Sequence, residues 1–441
     1  MTIVLWIALV FGFYMAWSIG ANDAANAMGT SVGSGAVSFK EAVIIAAIFE
    51  FSGAFLAGAD VTNTMRKGII DPALFNALPQ GSEIFALGML AALMSAAIWI
   101  HIAAFLGWPV STTHSIVGAI TGFGAVALGV NQVQWSKVGF IVASWATSPL
   151  LGGIIAFAVF WSIKRVIMDS PTPVRNVRRY GPLFGLPVFL VLSLMLFFKG
   201  LKNFYDKKLQ VYSFFDGAVV LTEPVVYALA VGLGVAGAVA LGVVVRRMDL
   251  KAGISDDLSP SELKEAQNKA IERVFRYLQI ITACFVAFAH GSNDVANSIG
   301  PLAAIVSMFK DMEFVGNISA KVPVPTWVLL LGAAGIVIGL ASYGRKVIET
   351  IGTKITEITP SRGFAAEFGA ATTILIGSKM GLPLSTTHTI VGAVIGVGFA
   401  RGMNALNLGI VWSIIKSWVL TIPFTGALTI GLFFLLKLLF L

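Results

Sequence analysis

The stretch GANDAANAMGT, from Gly20 to Thr30, sets an aspartate beside two asparagines inside a long apolar run, and GSNDVANSIGP, from Gly291 to Pro301, repeats the pattern. Two carboxylates and four amides within hydrophobic surroundings need an explanation that depends on the solvent around the chain. The composition supplies that solvent. Of 441 residues, 57% are hydrophobic and 12% charged, with a mean hydropathy of +0.87. Soluble domains carry about 25% charged residues, so this is an all-α polytopic membrane protein. Its apolar runs approach the 20 or so residues that span a bilayer, and they lack the two-residue alternation of a membrane barrel.

The net charge of +8 does not indicate nucleic acid, because no basic and aromatic surface is apparent. The basic residues gather between apolar runs, as in the loops of a membrane protein. The single cysteine, Cys284, excludes an internal disulfide and a cysteine-built zinc site. No lysine or arginine precedes Lys40, so the first segment reads as a retained helix with its N-terminus outside.

The chain repeats itself. Asn22, Asp23 and Asn26 recur as Asn293, Asp294 and Asn297, an offset of 271, and GWPVSTTHSIVGA at Gly107 to Ala119 recurs as GLPLSTTHTIVGA at Gly381 to Ala393, an offset of 274. Two long motifs in one order indicate a duplication. The spacing predicts helices over 2–34, 41–58, 85–106, 110–130 and 138–163 in a first copy, spanning 1–165. A spacer over 166–245 holds helices at 183–199 and 218–245. A cytoplasmic connector follows over 246–276, read as a short solvated surface helix from Asp256. The second copy, 277–441, holds helices at 277–308, 326–343, 362–380, 384–402 and 408–439. This makes about 12 transmembrane helices. The segments starting at Val110 and Leu384 read as broken or re-entrant, which would shift the count. Five crossings per copy and two in the spacer would make the second copy inverted. The basic loops, 164–179, 246–276 and 345–362, then share one side, while Lys202, Lys207 and Lys208 lie on the other.

An aspartate at the bilayer centre costs about 2.5–3.5 kcal/mol on the insertion scale. Asn22 and Asn26 lie four apart and share a helix face with Asp23. Carboxylate and amide oxygens suit small hard cations, although asparagines also glue helices together. The Pro-x-Ser-Thr-Thr-His motif has other chemistry. Pro109 and Pro383 interrupt or start a helix, Ser111 and Ser385 are placed as N-caps, and Thr112, Thr113, Thr386 and Thr387 fall in the opening turn. Such a helix start offers backbone N–H groups and a positive dipole end to an anion. The alternative is an ordinary capped and kinked helix. His114, His388 and His290 read as hydrogen-bonded core histidines, with proton carriage as the alternative. Glu50 and Glu367 are acids in apolar surroundings that could be neutral, paired or ion-binding. No nucleophile–base constellation stands out, which argues against an enzyme.

These four segments, in this order, resemble the signatures of inorganic phosphate transporters of the PiT family, over nearly the whole chain. The resemblance implies a multi-pass cell-membrane symporter with inverted repeats, both termini outside, and a role in transport for Glu50 and Glu367. The short connector points to a prokaryotic type. On this reading the protein imports inorganic phosphate with Na⁺ by alternating access. Phosphate is assigned to Ser111, Thr112, Thr113, Ser385, Thr386, Thr387, Asn26 and Asn297. Sodium is assigned to Asn22, Asp23, Asn293, Asp294, Glu50 and Glu367, and no other cofactor is called for. H⁺ coupling, a related sulfate permease, and a cation channel or exchanger built on the aspartates stay open as alternatives. The lipid bilayer is a partner, nucleic acid is not, and a homo-oligomer is allowed.

Overall fold

In the computed structural model the chain is described except at 59–60, 63–67, 201–204, 207–210, 215–218, 256, 311–312, 317, 319–323, 350–354 and 403–405. Arg66, Lys67, Lys202, Lys207, Lys208 and Lys354 therefore lie outside the described residues. The first copy folds as α1 (Thr2–Gly33), α2 (Phe39–Ala57), a 3-10 turn at Pro72–Ala77, α3 (Gly81–Leu106), α4 (Thr112–Ala127) and α5 (Trp135–Ile163). The spacer supplies α6 (Pro173–Met195) and α7 (Glu223–Arg247). The second copy supplies α8 (Pro260–Val306), α9 (Thr326–Tyr343), a short α10 (Arg345–Glu349), α11 (Pro360–Lys379), α12 (Thr386–Arg401) and α13 (Leu408–Phe440).

Eight described helices, α1, α3, α5, α6, α7, α8, α9 and α13, are long and apolar enough to cross a membrane, against the twelve crossings of the sequence reading. Of the four missing, α2 and α11 are long enough but carry charged residues such as Glu50 and Glu367, and the other two have a geometric cause. α4 and α12 have 16 residues each, about 24 Å at 1.5 Å per residue, too short for about 30 Å of hydrocarbon. α4 folds back along α3, since a Cβ at Gly88 would lie 1.9 Å from the Phe123 ring. α11 and α12 are joined by the matching short turn through Gly381, which takes φ 69°. Each copy therefore contains a helical hairpin.

The all-α expectation needs one correction. The connection between α6 and α7 forms a small antiparallel sheet, Tyr205–Asp206, Val211–Phe214 and Val219–Thr222, with Tyr212 opposite Leu221. A two-stranded ribbon pairs Phe309–Lys310 with Glu313–Phe314. The connector is corrected as well. Ser259 and Glu262 form a capping box, but the helix they start continues for 47 residues to Val306. Glu272 accepts from Ser361 N and Oγ at 2.7 and 2.8 Å, and Arg276 Nε donates to the Ala36 carbonyl at 2.8 Å. This segment is tied to both copies and is not a solvated appendage.

The two copies interlock through close backbone approaches. A Cβ at Gly20 would lie 1.9 Å from the Ile336 carbonyl, and one at Gly291 would lie 2.1 Å from the Glu50 carbonyl. The reciprocal contacts set Gly339 on Trp17 and Gly53 on Phe288, at 1.9 and 2.1 Å. α1 therefore packs on α9 as α8 packs on α2. Small residues permit such approaches where lipid gives helices no hydrophobic reason to associate. The outer faces are apolar, with Phe140, Val239 and Leu438 exposed, as a surface in contact with lipid requires.

Candidate functional site

The site is built from the two hairpin tips. Gly107 ends α3 in the left-handed region at φ 71°, and Ser111 then caps α4 by accepting from His114 N at 3.2 Å. Ser385 caps α12 by accepting from His388 N at 3.2 Å. The tips touch. Thr113 Oγ1 donates to the Leu384 carbonyl at 3.0 Å, and Thr387 Oγ1 donates to the Val110 carbonyl at 3.2 Å. Two helix N-termini with their dipole ends and unused first-turn N–H groups thus converge. Ser111, Thr112, Thr113, Ser385, Thr386 and Thr387 are all buried there.

Each tip is gripped by the second asparagine of the other copy's motif and is held from its own copy as well. Asn26 Nδ2 donates to Thr387 Oγ1 at 2.9 Å and to Thr386 Oγ1 at 3.4 Å. Asn297 Nδ2 donates to Thr112 Oγ1 at 3.1 Å and to Thr113 Oγ1 at 3.3 Å. Asp23 Oδ1 accepts from Asn26 Nδ2 at 2.8 Å and from Thr387 Oγ1 at 3.3 Å. Asp294 accepts from Asn293 Nδ2 at 2.6 Å and from Thr386 Oγ1 at 2.7 Å. Asn22 Nδ2 donates to the Trp108 carbonyl at 3.0 Å, and Asn293 Nδ2 also donates to the Leu384 carbonyl at 2.9 Å.

The donors of these four amides are therefore engaged, but their acceptors are not. Oδ1 of Asn22, Asn26, Asn293 and Asn297, and Oδ2 of Asp23, are buried and face no donor among the described residues. A buried acceptor left without a donor costs about 1–3 kcal/mol. Hard carbonyl and carboxylate oxygens in this condition are the ligands that a small hard cation takes.

His290 belongs to this site, which corrects its reading as a core histidine. Its Nε2 lies 2.9 Å from Asp294 Oδ2 and 3.9 Å from Asp23 Oδ2, and its Nδ1 lies 3.1 Å from Glu50 Oε1. These are close approaches without hydrogen-bond alignment. Ligand atoms of Asp23, His290 and Asp294 all fall within 4.8 Å of one another. The pair is specific to one half of the fold. An offset of 271 places Ile19 where the second copy has His290, and Ile336 offers its carbonyl to Gly20 as Glu50 does to Gly291.

Glu367 is not brought to the aspartates. Its carboxylate accepts from Thr30 Oγ1 at 2.7 Å, Ser31 Oγ at 2.5 Å, Gln279 Nε2 at 3.0 Å and Thr282 Oγ1 at 2.6 Å. Thr30 is seven residues beyond Asp23 on α1, about 10 Å along the helix. Glu367 anchors a separate polar cluster there.

With this geometry established, comparison with other proteins is direct. A model of the Phosphate transporter family matches residues 19–429. The chain belongs to the Phosphate transporter family. A Haemophilus influenzae protein described as a candidate phosphate permease is 44% identical, over 99% of this chain and 97% of its own. The chloroplastic inorganic phosphate transporter 2-1 of Arabidopsis thaliana is 42% identical, over 96% of this chain and 70% of its own. A solved structure of a sodium-dependent phosphate transporter superposes with a TM-score of 0.82 at 38% identity, covering 99% of this chain and all of the other. As a member of the Phosphate transporter family, this chain is a multi-pass membrane transporter and not an enzyme.

For this family member the sequence signals at Asn22, Asp23, Asn26 and their copies all converge on the hairpin tips. His290, read from the sequence as a core histidine, joins them. Its signal was its position four residues before Asp294, one helical turn away on the same face.

Proposed function

We propose that this protein imports inorganic phosphate together with Na⁺ by alternating access. The observation that carries the reading is the set of buried amide and carboxylate oxygens without donors, placed directly against two converging helix starts. Phosphate takes the helix starts, through Ser111, Thr112, Thr113, Ser385, Thr386 and Thr387, with Asn26 and Asn297 alongside. Sodium takes the oxygens of Asn22, Asp23, Asn293 and Asp294. Glu50 acts there through His290. Glu367, with the hydroxyl oxygens of Thr30, Ser31 and Thr282, offers hard ligands for sodium at a separate position.

The sodium requirement follows from charge. Asp23, Asp294 and Glu50 are buried together, and among the described contacts only His290 can carry a compensating positive charge. An anion entering this low-dielectric centre is repelled unless cations enter with it. The name of the superposed sodium-dependent phosphate transporter agrees with this coupling.

The same reading gives the topology. If each hairpin enters and leaves on one side, α3 makes no net crossing, and α2 crosses despite Glu50. Then α1, α2 and α5 cross in the first copy, α8, α9 and α13 in the second, and the spacer crosses twice. Three is odd, so the second copy is inverted and the tips meet near the midplane, as in other transporters built from inverted repeats. Both termini then face outside the cell membrane. The test is uptake of radiolabelled phosphate into proteoliposomes under separately imposed Na⁺ and pH gradients. Uptake driven by Na⁺ alone is expected. Uptake driven only by the pH gradient would replace sodium with protons, and equal competition by sulfate would replace the substrate.

A further inference from the structure

Behind the helix starts lies a crossed arrangement of two histidines and two tryptophans. The His114 and His388 rings meet edge to face, with centroids 4.3 Å apart. His388 stacks on Trp418 at 3.5 Å, and His114 lies over Trp145 at 3.7 Å. His388 Nδ1 is 3.0 Å from the Trp145 carbonyl, and His114 Nδ1 is 3.5 Å from the Trp418 carbonyl. A carbonyl can only accept, so the histidine nitrogen is the donor in both contacts.

The difference between 3.0 and 3.5 Å is encoded in the sequence. Trp145 precedes Pro149 by four residues, whereas Trp418 precedes Pro423 by five. Proline lacks the N–H that would bond the carbonyl four residues back. In α5 this frees the Trp145 carbonyl, and His388 donates to it. In α13 the freed carbonyl is that of Val419, while Trp418 keeps its regular helical partner, the Ile422 N–H. His114 therefore meets a carbonyl already in use.

The indoles show the opposite bias. Trp418 Nε1 donates to the Pro109 carbonyl at 3.2 Å, across the copies and at the base of the first helix start. The corresponding group, Trp145 Nε1, is buried and has no partner among the described residues. Its matching acceptor is the carbonyl of Pro383, 274 residues beyond Pro109. One copy makes its indole–proline bond and the other does not. An orphaned buried N–H costs as much as a lost hydrogen bond or more, so a second arrangement that satisfies Trp145 is favoured in its turn.

We infer that Trp418 and Trp145 are positioning residues for the two phosphate-binding helix starts, and that they act alternately. Trp418 holds Pro109 in the arrangement described here. In the opposite arrangement Trp145 takes the Pro383 carbonyl and Trp418 releases Pro109. Inverted copies exchange conformations when a transporter changes sides, so a bond made in only one copy marks which side is engaged. This inference rests on the alternating-access reading above.

The test uses the full chain in lipid nanodiscs and in proteoliposomes. Indole N–H resonances of ¹⁵N-tryptophan protein are assigned by their disappearance in Trp145→Phe and Trp418→Phe. In Trp418→Phe, without any added substrate, the Trp145 resonance is expected to move downfield as it gains its acceptor. An unmoved Trp145 resonance would overturn the inference, whatever the protein transports. Trp145→Phe trims a buried ring that packs on His114, so its melting temperature is expected to fall, and the decisive readout is the split between phosphate KM and maximal rate, with KM changing less than the rate. The maximal uptake rate should fall between about twofold and tenfold, the worth of one hydrogen bond. A Trp145→Phe protein with a wild-type rate would also overturn it. A downfield shift in a protein that moves no phosphate would leave the alternation standing and reject the substrate reading instead.

Discussion

Thr113 Oγ1 donates to the Leu384 carbonyl at 3.0 Å, joining the first turn of α4 to the residue just before the cap of α12. Thr387 returns the same bond to Val110. The two helix starts are thus fixed against each other before any ligand is considered. A pre-arranged pair of N-termini binds an anion with less ordering cost than two independent ones would.

That pairing makes the threonines separable by experiment. Thr113→Val and Thr387→Val each remove a hydroxyl that donates across the tips and accepts from Asn297 or Asn26, while keeping shape. Phosphate binding in sodium, measured by calorimetry, is expected to weaken by about 0.5–1.5 kcal/mol for each. The double variant should not equal the sum, because the two bonds share one interface. Strict additivity would mean that the two tips act independently.

The caps offer a second test. Ser111→Ala and Ser385→Ala each leave a first-turn N–H without its side-chain acceptor. Each is expected to cost about 0.5–2 kcal/mol. That loss should appear as weaker phosphate binding, with the melting temperature showing whether the helix start has frayed as well. Glycine substitution should be milder, by the same principle.

A third prediction concerns the crossing of the two copies. A side chain at Gly20 or Gly291 would collide with backbone, the carbonyls of Ile336 and Glu50, which cannot swing aside. Gly291→Ala is expected to cost about 1–3 kcal/mol by overpacking and to push α2 with Glu50 away from His290. Melting in detergent and phosphate uptake should fall together. Gly431→Ala, on the same scale of change, meets nothing within 4 Å and should be silent.

Much of this was legible in the sequence, for identifiable reasons. Helix positions follow from apolar runs bounded by Pro and Gly, and the tips from Pro-x-Ser-Thr-Thr-His, whose capping chemistry is local. The duplication announced that two sites would be one. What was hidden depended on distance along the chain. His290 meets Glu50 across 240 residues, and Glu367 is claimed by Thr30 and Ser31 from the far end of α1. Charge patterning changes near 276 and divides Pro260–Val306 into two pieces on sequence grounds, although no proline or glycine interrupts the backbone between Ser261 and His290.

A pH effect is expected away from the membrane-spanning helices. Arg362 and Arg401 both lie 3.0 Å from Glu357 Oε2, and the hydrogen bond from Arg362 is the main cause holding this carboxyl below its ordinary range. With the folded value lowered, the stabilisation is complete above the ordinary glutamate value of about 4.3 and is lost as pH falls through the lowered value. Glu357 is 72% exposed, so solvent screening keeps the effect below about 1 kcal/mol. Melting temperatures of wild type and Glu357→Gln should differ slightly at neutral pH and converge below about pH 4. Divergence on acidification would contradict this assignment.

The last prediction concerns the aspartates themselves. Asp23 and Asp294 sit on opposite copies, share His290, and contact Thr387 and Thr386 of the second helix start. Phosphate at the hairpin tips would therefore lie beside two carboxylates, and the cationic candidate beside them among the described residues, His290, is already shared with Glu50. Sodium on the oxygens of Asn22, Asp23, Asn293 and Asp294, of which Asn22 Oδ1, Asp23 Oδ2 and Asn293 Oδ1 lack donors among the described residues, removes both problems. It neutralises the acids and gives those oxygens a partner. The proposed order of events follows, with phosphate expected to bind well only after the carboxylates are compensated. Calorimetric titration of phosphate with Na⁺ and then with choline as the added cation should show strong binding in the first buffer and weak binding in the second. Asp23→Asn and Asp294→Asn each delete a negative charge while keeping the oxygen. Both should lose sodium-driven uptake, yet lose less phosphate affinity in choline than in sodium, because the amide no longer repels the anion. Equal affinity of the wild-type protein in both buffers would show that these carboxylates do not carry the coupling sodium.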